Sequence, residues 1–110
     1  LTDEKNGGDH YYIDSFMQHV NPQCRVNSSY MLTITDKNKN ILIDASGGRV
    51  NVSFGENPAA DVICRMDKDT FDKLIDGRSS FHKAFMTGEM TARGNLKTLR
   101  MLDELFTFTA

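Results

Sequence analysis

Apolar residues recur along the chain with a spacing that changes from helical to extended and back to helical. The first helical face has the i, i+3, i+4, i+7 spacing and comprises Ile13, Phe16, Met17 and Val20. Asp9 is a suitable N-cap for this helix. Pro22 ends it, because proline cannot donate a hydrogen bond to the helix ladder. The pattern therefore predicts an amino-terminal helix of about three turns.

A period of two follows, which is typical of half-buried strands. It predicts five strands, over residues 24–35, 41–46, 49–54, 61–66 and 89–94. Gly47 and Gly48 join the second and third strands as a two-residue hairpin turn, since glycine reaches positive φ without steric cost. In the third strand, Val50, Val52 and Phe54 are expected to face inward.

Capping residues mark three further helices between and after the last strands. Their expected N-caps are Asp67, then Ser79 or Ser80, and finally Asn95. Gly77 and Gly88 are expected to end the first two helices at the C′ position. The order of elements is therefore a helix, four strands, two helices, a strand and a helix.

The last helix is unusually apolar. Its apolar residues are Leu96, Leu99, Met101, Leu102, Leu105 and Phe106. They span roughly 220° of a helical wheel, whereas packing on one surface needs a stripe of about 100°. This predicts a second contact besides the sheet, and another helix, another subunit and a bound apolar molecule all remain open.

Length and charge narrow the class of protein. A chain of 110 residues is expected to form one domain. We expect residues 9–110 to be that domain and the polar residues 1–8 to be a linker or a cut boundary.

The net charge of −2 and a pI near 5.9 argue against a nucleic-acid partner. No stretch reads as a signal peptide or membrane span, which favours a cytoplasmic location without stable membrane insertion.

The residues that most often carry chemistry show no catalytic or metal-binding pattern. Cys24 and Cys64 fall in predicted strands and lack metal-ligand spacing, so buried reduced thiols are expected, with a disulfide or a reactive thiol as the alternative. The three histidines, His10, His19 and His82, have no partner at ligand spacing. No nucleophile elbow and no phosphate-binding glycine series is present. We therefore predict no enzyme activity, no metal and no cofactor.

An ordered series of caps, aromatic residues and glycines fills residues 60–102. Its members are Met66, Asp67, Asp69, Phe71, Gly77, Arg78, Ala84, Phe85, Met86, Gly88, Met90, Gly94, Asn95 and Leu96. This series resembles the sterol carrier protein type-two family of lipid-binding domains. The resemblance implies an α+β fold in which a five-stranded, mostly antiparallel sheet is covered on one face by about four helices. It also implies an enclosed apolar cavity or tunnel for fatty acyl chains, acyl-CoA or sterols, without catalytic residues or a cofactor.

One departure concerns location. Peroxisomal members of the family usually end in a tripeptide resembling Ser-Lys-Leu, whereas this chain ends in the residues TFTA. Peroxisomal targeting is therefore not supported.

Inward apolar side chains are the candidate tunnel residues that the resemblance implies. They are Tyr30, Leu32, Ile34, Ile75, Phe81, Phe85, Met86, Met90, Leu99, Leu102, Leu105 and Phe106. Methionine and aromatic side chains suit a site that accepts chains of variable shape. The alternative is that the same residues form an ordinary core.

A set of cations is the candidate for contact with a polar headgroup. Its members are Lys73, Arg78, Lys83, Arg93, Lys97 and Arg100. They could fringe a cavity mouth and bind an acyl carboxylate or a CoA phosphate. A solvated polar face is the alternative interpretation.

The leading hypothesis is non-enzymatic binding or carrying of an apolar lipid, namely a fatty acid, a fatty acyl-CoA or a sterol. One alternative is an interaction domain whose apolar face at residues 96–106 packs on a second copy or a neighbouring domain. The other is an accessory domain that shapes the substrate site of a larger enzyme.

Overall fold

A computed structural model describes residues 11–108. Within this range the chain forms five strands and four helices. The strands are β1 Ser28–Ile34, β2 Lys39–Ser46, β3 Arg49–Phe54, β4 Val62–Met66 and β5 Met90–Gly94. The helices are α1 at 11–18, α2 Lys68–Ile75, α3 Phe81–Met86 and α4 Leu96–Leu105. The expected cap Asp9 and the expected linker 1–8 lie outside the described residues.

The strands form one mixed sheet in the order β3-β2-β1-β4-β5. Three of the four strand pairs are antiparallel, and the central pair of β1 and β4 is parallel. In that centre Tyr30 pairs with Ile43 on one side and with Val62 on the other. The predicted α+β class with a five-stranded, mostly antiparallel sheet is confirmed.

Alternation along each strand gives the sheet one buried face. On β1 the side chains of Tyr30, Leu32 and Ile34 are fully buried, while the residues between them are half-buried. The buried side chains join those of the helices in a single hydrophobic cluster. The core therefore lies between the inner face of the sheet and the helices, as period-two patterning requires.

The inner face is incompletely covered at its β3 edge. Val50 and Val52 are half-buried. Phe54 pairs with the buried Ile41 and so lies on the inner face as predicted, but its side chain is 39% exposed. β3 is an edge strand with a neighbour on one side only. The Lys39 ammonium lies 5.4 Å from the centre of the Phe54 ring, which gives the exposed ring a cation–π partner.

The first strand begins later than predicted. The spacing predicted a strand over 24–35, but β1 begins at Ser28. The Cys24 N–H donates to the Asn21 carbonyl oxygen over 3.1 Å, so the chain is still turning after the first helix at this point. The alternation of Cys24 and Val26 therefore belongs to a loop that packs on the core.

The three predicted N-caps that lie within the described residues are confirmed. Each cap side chain accepts a hydrogen bond from the N–H three residues later: Asp67 from Thr70 (2.8 Å), Ser80 from Lys83 (3.0 Å) and Asn95 from Thr98 (3.1 Å). Gly77 and Gly88 follow α2 and α3 with φ of 80° and 81°, a conformation that favours glycine. Local sequence thus sets where these helices begin and end.

Replacing Asp67 by Ala is expected to lower the free energy of unfolding by about 1 kcal/mol at pH 7, the usual value of an N-cap. The Thr70 N–H hydrogen bond lowers the pKa of Asp67 in the folded protein. A lowered folded pKa means that this stability is present above the unfolded pKa of about 3.9 and is lost as the pH falls through the folded value.

Urea titrations of wild type and variant over a pH series measure this effect. The stability difference should shrink below about pH 4, and Asp69→Ala in the same first turn should have a smaller effect. A difference that stays constant from pH 7 to pH 2 would contradict this role of the ionised cap.

Candidate functional site

The inner face of the sheet is an apolar wall. At its centre Tyr30, Leu32 and Ile34 of β1 have no exposed surface. Beside them lie buried side chains of the neighbouring strands: Ile41, Ile43 and Ala45 of β2, Val62, Cys64 and Met66 of β4, and Met90 of β5. Because β1 is the middle strand of the sheet, with β2 and β4 on either side, the most apolar part of the wall lies at its centre.

Helices and the segment after α4 supply the opposite surface of the core. Its predicted members with at most 6% exposure are Ile75, Phe81, Leu99, Leu102, Leu105 and Phe106. In α4 the buried residues Leu99 and Leu102 are three apart, which places them on one helical face. These side chains pack with those of the sheet as one core, and an enclosed tunnel between them stays a prediction.

One polar contact crosses this core. The Tyr30 hydroxyl of β1 donates to the Thr98 backbone carbonyl of α4 over 2.9 Å. Burial raises the pKa of Tyr30 to about 12, so the hydroxyl keeps its proton and remains a donor at neutral pH. The hydrogen bond gives the buried hydroxyl an acceptor, and it ties α4 to the centre of the sheet.

Asp103 joins the two helices that follow α2. Its carboxylate on α4 accepts hydrogen bonds from the backbone N–H groups of Phe81 (2.7 Å) and His82 (2.9 Å) at the start of α3. A carboxylate suits the positive end of a helix, where free N–H groups gather. α3 and α4 are therefore linked to each other as well as to the sheet.

The end of α4 is bound to the end of α1. The Asn21 N–H donates to the Leu105 carbonyl over 2.8 Å, and the Thr107 N–H donates to the His19 carbonyl over 2.9 Å. Between these two bonds Val20 and Phe106 form an antiparallel bridge. The α1 and α4 ends thus lie side by side, although they are more than 80 residues apart in the chain.

An aromatic cluster closes this end of the core. Phe16 is its centre, with ring centroids 5.8 Å from Phe71, 4.9 Å from Phe106 and 5.4 Å from Phe108. The candidate set from the sequence contained Phe106 but missed the other three. Helical periodicity predicted burial of Phe16 and Phe71, since both lie on inward helical faces. Phe108 lies beyond the last helix, where no periodicity indicates burial.

Comparison with known protein families shows which family the chain belongs to. The family model described as the SCP-2 sterol transfer family matches residues 23–107. The chain belongs to the SCP-2 sterol transfer family. This match extends the resemblance, which rested on residues 60–102, back through β1, β2 and β3. Among curated proteins no significant sequence match is found.

Solved structures with the SCP-2 fold resemble this chain at low sequence identity. The inverting sec-alkylsulfatase Pisa1 from Pseudomonas sp. is 20% identical with a TM-score of 0.75 over 90% of this chain. Sterol carrier protein 2 like 2 from Aedes aegypti is 14% identical with a TM-score of 0.66, over 96% of this chain and all of that one. A solution structure of palmitated SCP2L2 from the same organism is 16% identical with a TM-score of 0.65, over 89% of this chain and 90% of that one.

The two kinds of similar structure differ in extent. The chain spans only 16% of the sulfatase, but nearly the whole of the Aedes proteins. The SCP-2 fold therefore occurs both as a complete protein and as one part of a larger enzyme.

Two predicted tunnel residues lie outside the fully buried SCP-2 core. Phe85 is half-buried and packs against its edge. Met86 is 67% exposed, so the expectation that it faces inward is wrong. It is the last residue of α3, and it lies on the face of that helix opposite the buried residues Phe81 and Ala84.

The apolar arc of the last helix has a simple structural explanation. α4 ends at Leu105, so Phe106 is not on the helix and packs in the aromatic cluster instead. Leu96 is 54% exposed, and Met101 is half-buried. The buried stripe on α4 is therefore of ordinary width. The apolar residues of this helix do not require a second contact besides the core.

The described histidines, cysteines and carboxylates are scattered rather than clustered. Between residues 11 and 108 no cluster of three histidines, cysteines, aspartates or glutamates could hold a metal ion. Cys24 and Cys64 are free thiols, and burial raises the pKa of Cys64 to about 12.

None of the helices between residues 11 and 108 is long and apolar enough to span a membrane.

Proposed function

We propose that this domain binds an apolar lipid, a fatty acyl chain or a sterol, between its sheet and the α3–α4 pair. Membership of the SCP-2 sterol transfer family is the observation that carries this proposal. The twelve candidate residues would supply the contact surface, with Met86 and Phe85 at its margin rather than inside it. A cytoplasmic location stays a prediction.

Desolvation would drive binding. Each buried methylene contributes about 0.8 kcal/mol, so ten methylenes contribute about 8 kcal/mol. Admitting the chain breaks the hydrogen bond from Tyr30 to Thr98, which is worth about 1 kcal/mol net. The core contacts that are lost are replaced by contacts with the lipid. Because Asp103 links α3 to α4, we propose that these helices move as one unit.

The domain would act without covalent chemistry. Its inner surface is apolar, and the one hydrogen bond described across it, from Tyr30 to Thr98, engages a tyrosine that burial keeps protonated. A binding site of this kind selects ligands by length and shape.

Lipid extraction tests the proposal. We expect the purified protein, extracted with organic solvent and analysed by mass spectrometry, to release lipid near one molecule per chain. Light scattering on the same sample should give the mass of a monomer. An empty dimer that also fails to bind an added fluorescent fatty acid would contradict lipid binding and favour an interaction domain.

A second candidate is an accessory domain that shapes the substrate site of a larger enzyme. The sec-alkylsulfatase favours it, because a domain of this fold forms 16% of that enzyme. The full reading frame tests this candidate. A catalytic domain in the same chain would support it, whereas a reading frame that ends close to these 110 residues would contradict it.

A further inference from the structure

A second cavity, of about 370 Å³, lies on the outer face of the sheet, which is the face turned away from the helices. Its volume is within the usual range of small-molecule sites, about 300–1,000 Å³. Its lining includes five polar residues and one outward apolar side chain, namely Ser29, Asp44, Asn51, Ser53, Asn57 and Leu42. We call it the outer-face cavity. The sheet separates it from the proposed lipid site.

Strand alternation places a row of polar side chains on the floor of the outer-face cavity. Asp44 lies between the buried residues Ile43 and Ala45 of β2, so its carboxylate points away from the core. Asp44 pairs with Ser29 of β1 on one side and with Asn51 of β3 on the other. Neighbouring strands are about 4.8 Å apart, so a hydroxyl, a carboxylate and an amide lie side by side.

The segment between β3 and β4 forms a wall of the outer-face cavity. Its Asn57 N–H donates to the sulfur of Met31 over 3.4 Å, and Met31 lies beside Leu42 on the outer face. At the end of the segment, Asp61 donates its N–H to the Ser29 hydroxyl over 3.1 Å and accepts the Ser29 N–H over 3.0 Å. The wall is therefore anchored to the sheet at two points, which preorganises the cavity.

The polar groups of the outer-face cavity include both donors and acceptors. Within residues 11–108 no side-chain hydrogen bond or ion pair is found for Asp44, Asn51 or Ser53, so these groups are free to bind a ligand. The Asn57 Oδ1 accepts the Ala59 N–H over 3.1 Å, which leaves the amide NH2 group of Asn57 as a donor. The cavity can therefore donate and accept hydrogen bonds at the same time.

Charge and hydrogen-bonding capacity together select the class of ligand. The described lining residues include no lysine or arginine, so an anion would meet only the negative charge of Asp44. An ammonium group only donates, and it would leave the amide NH2 groups of Asn51 and Asn57 without acceptors. A sugar hydroxyl both donates and accepts, so a polyhydroxylated neutral molecule matches the whole set.

We infer that the outer-face cavity binds a neutral mono- or disaccharide. The Asp44 carboxylate accepts hydrogen bonds from sugar hydroxyls, and such charge-assisted bonds are about twice as strong as neutral ones. Asn51 donates to and accepts from the adjacent hydroxyls, and Leu42 contacts the C–H groups of the ring. Because most of these side chains are exposed to water, the expected dissociation constant is about 1 mM.

Two-dimensional NMR of the isotope-labelled protein tests the inference, with glucose, galactose, mannose and maltose as probes and putrescine as a cationic comparison. At least one sugar is expected to shift the amide signals of the cavity residues. Asp44→Asn should weaken its binding about tenfold, and Asn51→Leu, of similar size, should abolish it. The matched control Asp14→Asn removes the same charge from an exposed position on α1 and should bind as wild type.

Three outcomes would overturn the inference. The first is that none of the four sugars shifts the signals of the cavity residues. The second is that putrescine shifts them and no sugar does, which would make the ligand an amine. The third is equal loss of sugar binding in Asp44→Asn and Asp14→Asn. Lipid binding on the opposite face of the sheet is measured separately, so it stands or fails independently of these results.

Discussion

Replacing Phe16 by Ala is expected to lower the free energy of unfolding by about 3–5 kcal/mol, the usual cost of removing a buried phenylalanine ring. Phe16 is fully buried and contacts Phe71, Phe106 and Phe108. Its ring fills the junction where the end of α1 meets the end of α4. Chemical denaturation followed by circular dichroism measures the change.

The neighbouring residue provides a matched control. Met17 lies on the same helix but is 46% exposed. Met17→Ala is expected to change the free energy of unfolding by less than about 0.5 kcal/mol, because surface substitutions usually have small effects. If both variants lost similar stability, Phe16 would not be the centre of the cluster.

Helix boundaries were predictable because local chemistry decides them. Asp67 and Asn95 each accept a hydrogen bond from a backbone N–H three residues later, and this requires only a short stretch of chain. Gly77 and Gly88 provide the positive φ that ends a helix. Such signals do not depend on the rest of the fold, so reading the sequence places them correctly.

Errors arose where burial depends on distant parts of the chain. Alternation placed Phe54 on the inner face, but the position of β3 at the sheet edge leaves its ring exposed there. The apolar arc of the last helix included Phe106, which instead pairs with Val20 from the other end of the chain. Periodicity shows which residues share a face, and strand order decides which faces are covered.

The burial of most candidate residues was predictable, but the fit of their side chains was not. Ten of its twelve residues are buried on facing surfaces of one core, as their spacing indicated. Met86 is exposed because it lies on the face of α3 opposite the buried residues Phe81 and Ala84. Packing density and the room available to a ligand depend on how side chains from five strands and four helices fit together, which no local pattern encodes.

Replacing Leu102 by Arg is expected to abolish binding of a fluorescent fatty acid if α4 lines the lipid site. Leu102 is fully buried on the face of α4 that packs toward the sheet. Arginine stays charged at any accessible pH, and a buried charge without a partner costs about 3–5 kcal/mol. The same charge would meet the apolar chain of the ligand. Fluorescence titration measures the binding and circular dichroism the fold.

Leu96→Arg places the same charge on the same helix at a position that is 54% exposed, and it is expected to keep both stability and binding. Leu102→Gln introduces polarity without charge, so it should fold more readily and still weaken binding by about tenfold, because an unpaired buried amide costs about 1–3 kcal/mol. A folded Leu102→Gln or Leu102→Arg protein that binds fatty acid as tightly as wild type would show that the lipid does not contact this face of α4. The surface of α3 beside Met86 would then be the remaining candidate.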